Sequence, residues 1–395
     1  MRLVLAAVSS NTQLSGVTRH AANLARCLLL YSRIEAVHIV AAPWEYPVLR
    51  EAIAVEDPRL KIHCVHLDRA NLARNLWYWF DLPAIAAQLE ADVVHLSYPS
   101  PLNRRRMGCP VSVTVHDLYP LDIPENFGFP KVIFNRLILR QCLRAADALA
   151  CVSNTTLERL RKWESESVAA KAVRVYNCVE SSRVRVGRSP LARSRSAPFL
   201  LCVAQHRRNK NVVLAVRTLA RLLRERRVHP GMLLVVIGMP GPETEEIHRW
   251  IEREGIGQNV MLLSGISDAE LQWCYRNCEA LVAPSLTEGF GLPVAEGLLA
   301  GCRIVGSDIP PFRELGGEHC RYFALGEGEE ERFAEAILET LRQPRKGPVA
   351  LPQISGEVIA GELMALYGRL VGEAGSKKRR GATEDEDEKA IVGAR

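Results

Sequence analysis

The sequence predicts an α/β fold made of two open, parallel-sheet halves. Three observations carry that reading. Short apolar runs alternate with amphipathic helical patterns almost throughout, the mark of repeated βα units. The alternation stops at residues 181–198, SSRVRVGRSPLARSRSAP, and then begins again; this Ser-, Arg- and Pro-rich stretch reads as an exposed linker. Finally, 395 residues are too many for one ordinary domain and comfortable for two, each with its own core.

The first half opens on MRLVLAAVSSN. Its apolar run is about as long as a leader's, but it leads into a Gly loop and a helical pattern, so residues 2–8 read as a first strand. A helix is expected at 17–30, then apolar runs at 36–42 and 62–67, a helix at 71–89 and a run at 93–96. Runs at 111–115 and 148–152, with helices at 132–143 and 155–163, complete the series. The second half repeats it. Strands are expected at 199–204, 232–237, 260–263, 280–283 and 302–305. Helices are expected at 212–224, 243–254, 268–277, 293–300 and 329–341, with a closing helix at 356–370. The expected layout is therefore a first domain over 1–180, a linker over 181–198 and a second domain over 199–354. A helix over 355–372 follows, with the first domain as its candidate packing partner, and then a disordered charged tail over 373–395. Two such halves are expected to place a ligand cleft between two sets of strand carboxyl ends.

Composition narrows the function classes. A chain 48% hydrophobic and 24% charged is globular. A net charge of +6 suits an anionic ligand or an anionic membrane surface. The Arg clusters lack the interleaved aromatics of a nucleic-acid track, so no nucleic-acid partner is expected. The eleven cysteines are scattered singly, with no Cys-x-x-Cys pair, and read as reduced core thiols of a cytoplasmic protein. No metal site is expected. Asp385-Glu386-Asp387 lies in the low-complexity tail and reads as a chance Asp-x-Asp match. No run reaches the ~20 apolar residues of a membrane span. Residues 131–144 place Arg136, Arg140 and Arg144 on one helical face among many apolar residues. The preferred reading is a core-packed helix with a solvated basic face; the alternative is peripheral contact with an anionic bilayer carrying a lipid-linked acceptor.

The informative stretch is residues 284–297, PSLTEGFGLPVAEG. A strand ends at 283, a Gly-bearing loop follows, and Pro293 stands in the first-turn position it prefers. Gly289 and Gly291 let backbone approach a ligand, and the amides at the following helix start form an anion site. Glu288 lies in the loop and Glu296 near the first helical turn. Two acids so spaced either divide labour between a transferred sugar and a ribose diol, or are a helix-capping acid beside an exposed one.

Glu-Gly-Phe-Gly-Leu-Pro-x-x-Glu resembles the signature of the family 4 retaining glycosyltransferases, also called group 1. The resemblance continues in 15–20 (SGVTRH), in Val115-His116-Asp117 and in Val152-Ser153-Asn154. It also takes in Tyr176-Asn177-Cys178-Val179, residues 202–211 (CVAQHRRNKN), 263–271, 301–307 and Glu314. It implies a GT-B fold of two facing Rossmann-like domains and no metal or other cofactor. It further implies a hexosyl group, mannose- or glucose-type, moved from a nucleotide diphosphate sugar to a glycan or lipid-linked acceptor, in the cytoplasm or at the inner face of a membrane.

Carried over position by position, the resemblance makes His116, Glu288 and Lys210 the catalytic candidates. It places Gly16, Arg207, Arg208, Lys210, Gly265, Gly289, Phe290, Gly291, Leu292 and Glu296 around the donor. Ser15 and Gln205 depart from the family pattern, the latter where many members carry an Arg; Arg207 or Arg208 is the candidate substitute. Without the resemblance, Lys210 reads as a solvated loop residue and His116 as a hydrogen-bonded strand-end residue. Two other functions compete: a non-catalytic nucleotide-sugar-binding protein of the same fold, and a nucleotide-cofactor oxidoreductase. The oxidoreductase needs Gly-x-Gly-x-x-Gly after a strand, which residues 9–16 lack.

Overall fold

The computed structural model describes residues 1–9, 16–179, 186–191, 197–345 and 347–392, with side chains as far as 374. Most of the expected linker lies outside these residues. The chain divides into two compact units: Met1–Val152 with Thr156–Cys178 and Gln353–Arg395, and Ser153–Thr155 with Val179–Pro352.

The first unit holds strands β1 (Arg2–Ala6), β2 (Ala36–Ala41), β3 (Leu60–Cys64), β4 (Val93–Leu96), β5 (Val111–Val115), β6 (Ala148–Cys151) and β7 (Ala172–Arg174). Among the described residues they form one sheet in the order β3-β2-β1-β4-β5-β6-β7, every pair parallel. Strands covered on both faces read as continuous apolar runs, and β2 and β4–β6 are buried throughout. Alternate residues of β1 serve opposite cores. Leu3 and Leu5 pack with helix Gly16–Leu28 and with Ile359, Leu363 and Tyr367 of the last helix. Val4 and Ala6 face the layer of helices Asn71–Gln88, Lys131–Ala145 and Asn154–Trp163, through Trp77, Tyr78, Leu143 and Leu160.

The second unit repeats the plan with β8 (Phe199–Val203), β9 (Leu233–Ile237), β10 (Val260–Leu263), β11 (Ala280–Ala283), β12 (Ile304–Ser307) and β13 (Cys320–Phe323). Their order is β10-β9-β8-β11-β12-β13, again parallel throughout. The core on one face joins Leu200, Cys202 and Val236 to Val216 and Leu219 of helix Val212–Arg224 and to Phe333 and Ile337 of helix Glu329–Arg342.

The chain is thus of the expected α/β class, with two parallel-sheet domains. Among the described strands and α-helices, six escape the sequence reading: β7, β13, and helices Tyr46–Ile53, Tyr119–Asp122, Glu166–Ala169 and Pro310–Gly316. Each is short, and the two strands are half-polar edges, so none makes a periodic apolar run. The last helix is also longer than expected. It runs Gly356–Val392, so the tail taken as disordered from 373 continues as helix to Val392. Its Glu, Lys, Arg and Ala are good helix formers, which a reading from charge alone does not weigh.

Candidate active site

An open α/β sheet reverses its winding once, and loops after the strands flanking that reversal meet at their carboxyl ends. In the second unit the reversal lies between β8 and β11. Lys210 closes a short turn, Arg208–Lys210, that follows β8; Glu288 lies in the loop after β11. Topology therefore brings together two residues 78 apart in sequence: Lys210 Nζ stands 2.6 Å from Glu288 Oε1. Ser285 Oγ donates to the same oxygen at 2.8 Å. Glu288 is only 6% exposed. A buried carboxylate is expensive unless paired and hydrogen-bonded, and both conditions are met. The Leu286 amide donates to Asn209 O at 2.8 Å, tying the two loops together. Cys202, Pro293 and Phe312 help wall the small cavity around the pair.

After Glu288 the chain passes Gly289 and buried Phe290 to Gly291, which caps helix Leu292–Ala300. Gly291 sits at φ 101°, and a Cβ there would lie 2.8 Å from Phe312 Cε1. Both backbone and neighbour therefore require glycine. The helix start offers fewer amides than expected. Pro293 has no N–H, and Val294 and Ala295 both donate to Gly291 O, at 3.0 and 3.2 Å. Of the first turn, the Leu292 amide is the one left without an intrahelical acceptor.

Glu296 is the fifth helical residue, just past the first turn. Its Oε2 accepts a hydrogen bond from Tyr275 OH at 2.7 Å. Tyr275 is fully buried, on helix Asp268–Asn277. That helix begins with a capping box in which Ser267 and Glu270 satisfy each other's amides. Sequence reasoning missed Tyr275. The available signal was weak: a tyrosine on a helix facing the core needs a partner for its hydroxyl.

Arg207 and Arg208 are exposed and form no ion pair among the described residues. Gly265 follows β10 with φ +69° and open space where a Cβ would stand. The second unit thus gathers Lys210, Glu288, Gly289, Phe290, Gly291, Leu292 and Glu296 around one helix start.

In the first unit, Gly16 begins helix Gly16–Leu28; Ser15 lies outside the described residues. His116 follows β5, with Nε2 2.8 Å from Ser97 O. A carbonyl only accepts, so Nε2 carries the hydrogen and Nδ1 of the neutral ring keeps a lone pair. Burial pushes the His116 pKa down to about 4, so the ring is neutral at pH 7. The His20 ring meets it edge-on, centroids 4.7 Å apart. His20 Nε2 lies 3.0 Å from Thr114 Oγ1, and His95 Nε2 lies 2.7 Å from the same oxygen. His95 Nδ1 lies 2.8 Å from Tyr367 OH. Burial pushes His95 down to about 3 and lowers His20 well below its ordinary value. His95, Thr114 and Tyr367 were not legible as site neighbours, because they sit in apolar strand and helix patterns. Among the described residues, no three His, Cys, Asp or Glu side chains are placed to hold a metal ion.

Comparison with known proteins gives this geometry a family. Residues 14–183 match the model of Glycosyltransferase Family 4, and residues 188–351 match that of Glycosyl transferases group 1. The chain is 26% identical over 253 residues to the serotype-specific mannosyltransferase WbdA of Escherichia coli, covering 60% of this chain and 30% of WbdA. It is 26% identical over 209 residues to the O-antigen chain mannosyltransferase RfbU of Salmonella typhimurium, covering 52% of this chain and 54% of RfbU. The chain therefore spans about a third to a half of the curated relatives it matches. In fold it resembles Anabaena HepE, solved in complex with UDP and glucose, with a TM-score of 0.63 at 14% identity over 97% of this chain and all of that one. Matched in both of its halves and folded as two parallel-sheet α/β units, the chain belongs to the family 4, or group 1, glycosyltransferases.

Proposed function

We propose that the chain is a retaining, metal-independent glycosyltransferase. It moves a mannose- or glucose-type hexosyl group from a nucleotide diphosphate sugar to a hydroxyl of a glycan or lipid-linked acceptor. The observation that carries this reading is the Lys210–Glu288 pair at the Gly291 helix start, with Glu296 beside it on Tyr275. The family to which the chain belongs and the mannosyltransferases it resembles support it, and put mannosyl donors first.

As the glycosidic bond breaks, negative charge grows on the leaving diphosphate, and fixed positive groups aimed there lower the barrier. Lys210 has three N–H donors, of which one serves Glu288; the others are available to phosphate oxygens. Exposed Arg207 and Arg208 supply the guanidinium that Gln205 does not. The Leu292 amide and the Gly289–Gly291 backbone add a smaller share, about 0.3–1 kcal/mol for an exposed helix start. Glu288 accepts from hydroxyls of the transferred sugar, and Glu296 from the ribose. Gly265 borders the base, and Gly16 the diphosphate. His116 Nδ1 accepts from a donor-sugar hydroxyl. No side chain is assigned as nucleophile: the acceptor hydroxyl attacks from the face the nucleotide leaves, and the leaving phosphate takes its proton. The protein works in the cytoplasm, at the inner face of the membrane where lipid-linked acceptors are found.

Thermal shift against a panel of nucleotide sugars, followed by product analysis with the stabilising donor, tests the proposal. The expected result is stabilisation by one nucleotide diphosphate sugar and an unchanged rate in excess chelator. Turnover abolished by chelator, or stabilisation by a nicotinamide cofactor alone, overturns it.

A further inference from the structure

The first unit reverses its winding between β1 and β4, and the loops after β1, β2 and β4 carry side chains that the transfer chemistry leaves unused. Trp44, in the loop after β2, is half-buried and donates its indole hydrogen to Ser9 O at 3.0 Å. Glu45, next to it, is buried. It accepts from the Ser9 amide at 3.0 Å, from Ser9 Oγ at 2.5 Å and from the Ala42 amide at 3.0 Å. Burial pushes the Glu45 pKa up, against the opposing pull of those bonds and of the Arg74 guanidinium. From the loop after β4, Tyr98 OH donates to Val8 O, and Tyr78 OH donates to the same carbonyl at 3.0 Å.

Two guanidiniums reach this cluster without an acid of their own. Arg69 is exposed and lies over the Trp44 ring, 5.4 Å from its centroid. Arg74, half-buried in the first turn of helix Asn71–Gln88, donates to Asn75 Oδ1 at 3.0 Å from Nη2 and 3.4 Å from Nε. Among the described residues neither arginine forms an ion pair. Glu45, which feels the Arg74 charge, already engages its oxygens with neutral N–H and O–H donors. The remaining N–H groups of both arginines are therefore open to an anion, in the planar fork that phosphate oxygens match. The sheet sets the distance from the reacting centre. In the order β2-β1-β4-β5, the loops after β2 and β5 start roughly 14 Å apart, so Trp44 stands farther from His116 than one sugar ring reaches.

We infer that Trp44, Arg69 and Arg74 form a subsite for a phosphate or diphosphate group of the acceptor, carried more than one sugar ring from the hydroxyl that reacts. The inference rests on the transferase reading and adds a property of its acceptor: it is anionic and at least a disaccharide. Arg69 and Arg74 grip the phosphate oxygens, and the half-exposed Trp44 indole lies against the sugar ring beside them. Glu45 is a positioning residue, because it ties the loop after β1 to the loop after β2 and so fixes the indole between them. Two sources share this chemistry: a phosphate on the glycan, and the diphosphate that joins a glycan to a lipid.

Calorimetry on the full chain, without donor, compares neutral mannobiose with mannobiose 1-diphosphate and mannobiose 6-phosphate, both charged on the reducing ring. At least one charged probe should bind about tenfold tighter than the neutral one at low salt, with a smaller preference at high salt. A preference for the 1-diphosphate assigns the charge to the lipid linkage, and a preference for the 6-phosphate assigns it to the glycan. Arg69→Gln with Arg74→Gln should abolish the preference at an unchanged melting temperature. Arg69→Lys with Arg74→Lys should restore only part of it, because an ammonium lacks the planar fork. Trp44→Ala should weaken all three probes alike, and Trp44→Phe, which keeps an aromatic ring in place, should recover most of the loss. If neither charged probe binds the parent more tightly than mannobiose, or if the preference survives the Arg69/Arg74 glutamine pair, the proposal is overturned. The parent's thermal shift with nucleotide sugars reports on the donor alone, so failure of the transferase reading is distinguishable.

Discussion

At the carboxyl end of β11, Glu288 is buried with a lysine 2.6 Å away and a serine hydroxyl at 2.8 Å. At the carboxyl end of β5, half-buried His116 lies beside half-buried His20, with His95 fully buried behind Thr114, and desolvation pushes each ring below its ordinary pKa. One strand end keeps its polar groups by pairing opposite charges, the other by keeping rings uncharged. The difference separates two kinds of sensitivity. The β11 cluster should respond to substitutions that change charge or crowd the helix start. The β5 cluster should respond to protons.

The largest effect that would test this contrast is Glu288→Gln. It removes the carboxylate but keeps shape and hydrogen bonding, so transfer should fall about 10²–10³-fold with little change in melting temperature. Steady-state turnover near that of the parent would break the assignment. Lys210→Ala is a poorer probe. It leaves Glu288 buried without its cation and so should cost stability, about 3–5 kcal/mol. Next is Gly291→Ala, which forces a left-handed alanine against Phe312. Denaturant unfolding should show a loss of about 2–4 kcal/mol, and donor-induced thermal shift should disappear.

The third prediction concerns acid. His20, His95 and His116 are neutral in the folded chain, whereas in the unfolded chain they protonate near their ordinary 6.5. Below 6.5 the unfolded chain therefore binds more protons than the folded one. The stability these rings contribute is complete above pH 6.5 and is lost as pH falls through about 4 for His116 and about 3 for His95. Calorimetry should record a melting temperature lower by about 5 °C at pH 5 than at pH 7. A flat profile over that range would remove the contrast between the clusters. The smallest effect is Tyr275→Phe. Loss of one hydrogen bond to a carboxylate should raise the donor KM about tenfold while kcat barely moves. An equal loss in kcat would mean that Glu296 acts on the reacting centre rather than on the ribose.

Much of this was legible because βα repetition marks buried parallel strands as apolar runs; β4, β5, β10 and β11 begin and end where the runs do. Glu288 and Gly291 were legible for a local reason: loop, glycine and proline punctuate the start of one helix. What stayed hidden was long-range. Tyr275 and Glu296 are 21 residues apart, and Tyr367 and His95 are 272 apart. No periodicity records such pairs. The Val294 and Ala295 amides, counted as free from sequence, are occupied because Gly291 turns its own carbonyl toward them. The outward Phe134 and Leu137 were hidden for a third reason: their helix is apolar on more than one side, and composition does not say which side meets the core.

Thr114 holds a last consequence. Its single hydrogen faces two ring nitrogens, one from His20 and one from His95. The oxygen can give to one ring only, and a ring that does not receive that hydrogen must donate its own. With Tyr367 at the far nitrogen of His95, the phenol's orientation fixes which nitrogen of His95 carries the hydrogen, and so limits what Thr114 can offer His20. The tautomer of the ring touching His116 is thereby chosen jointly with the orientation of a phenol on the final helix, so a chain ending before Tyr367 would leave that choice open.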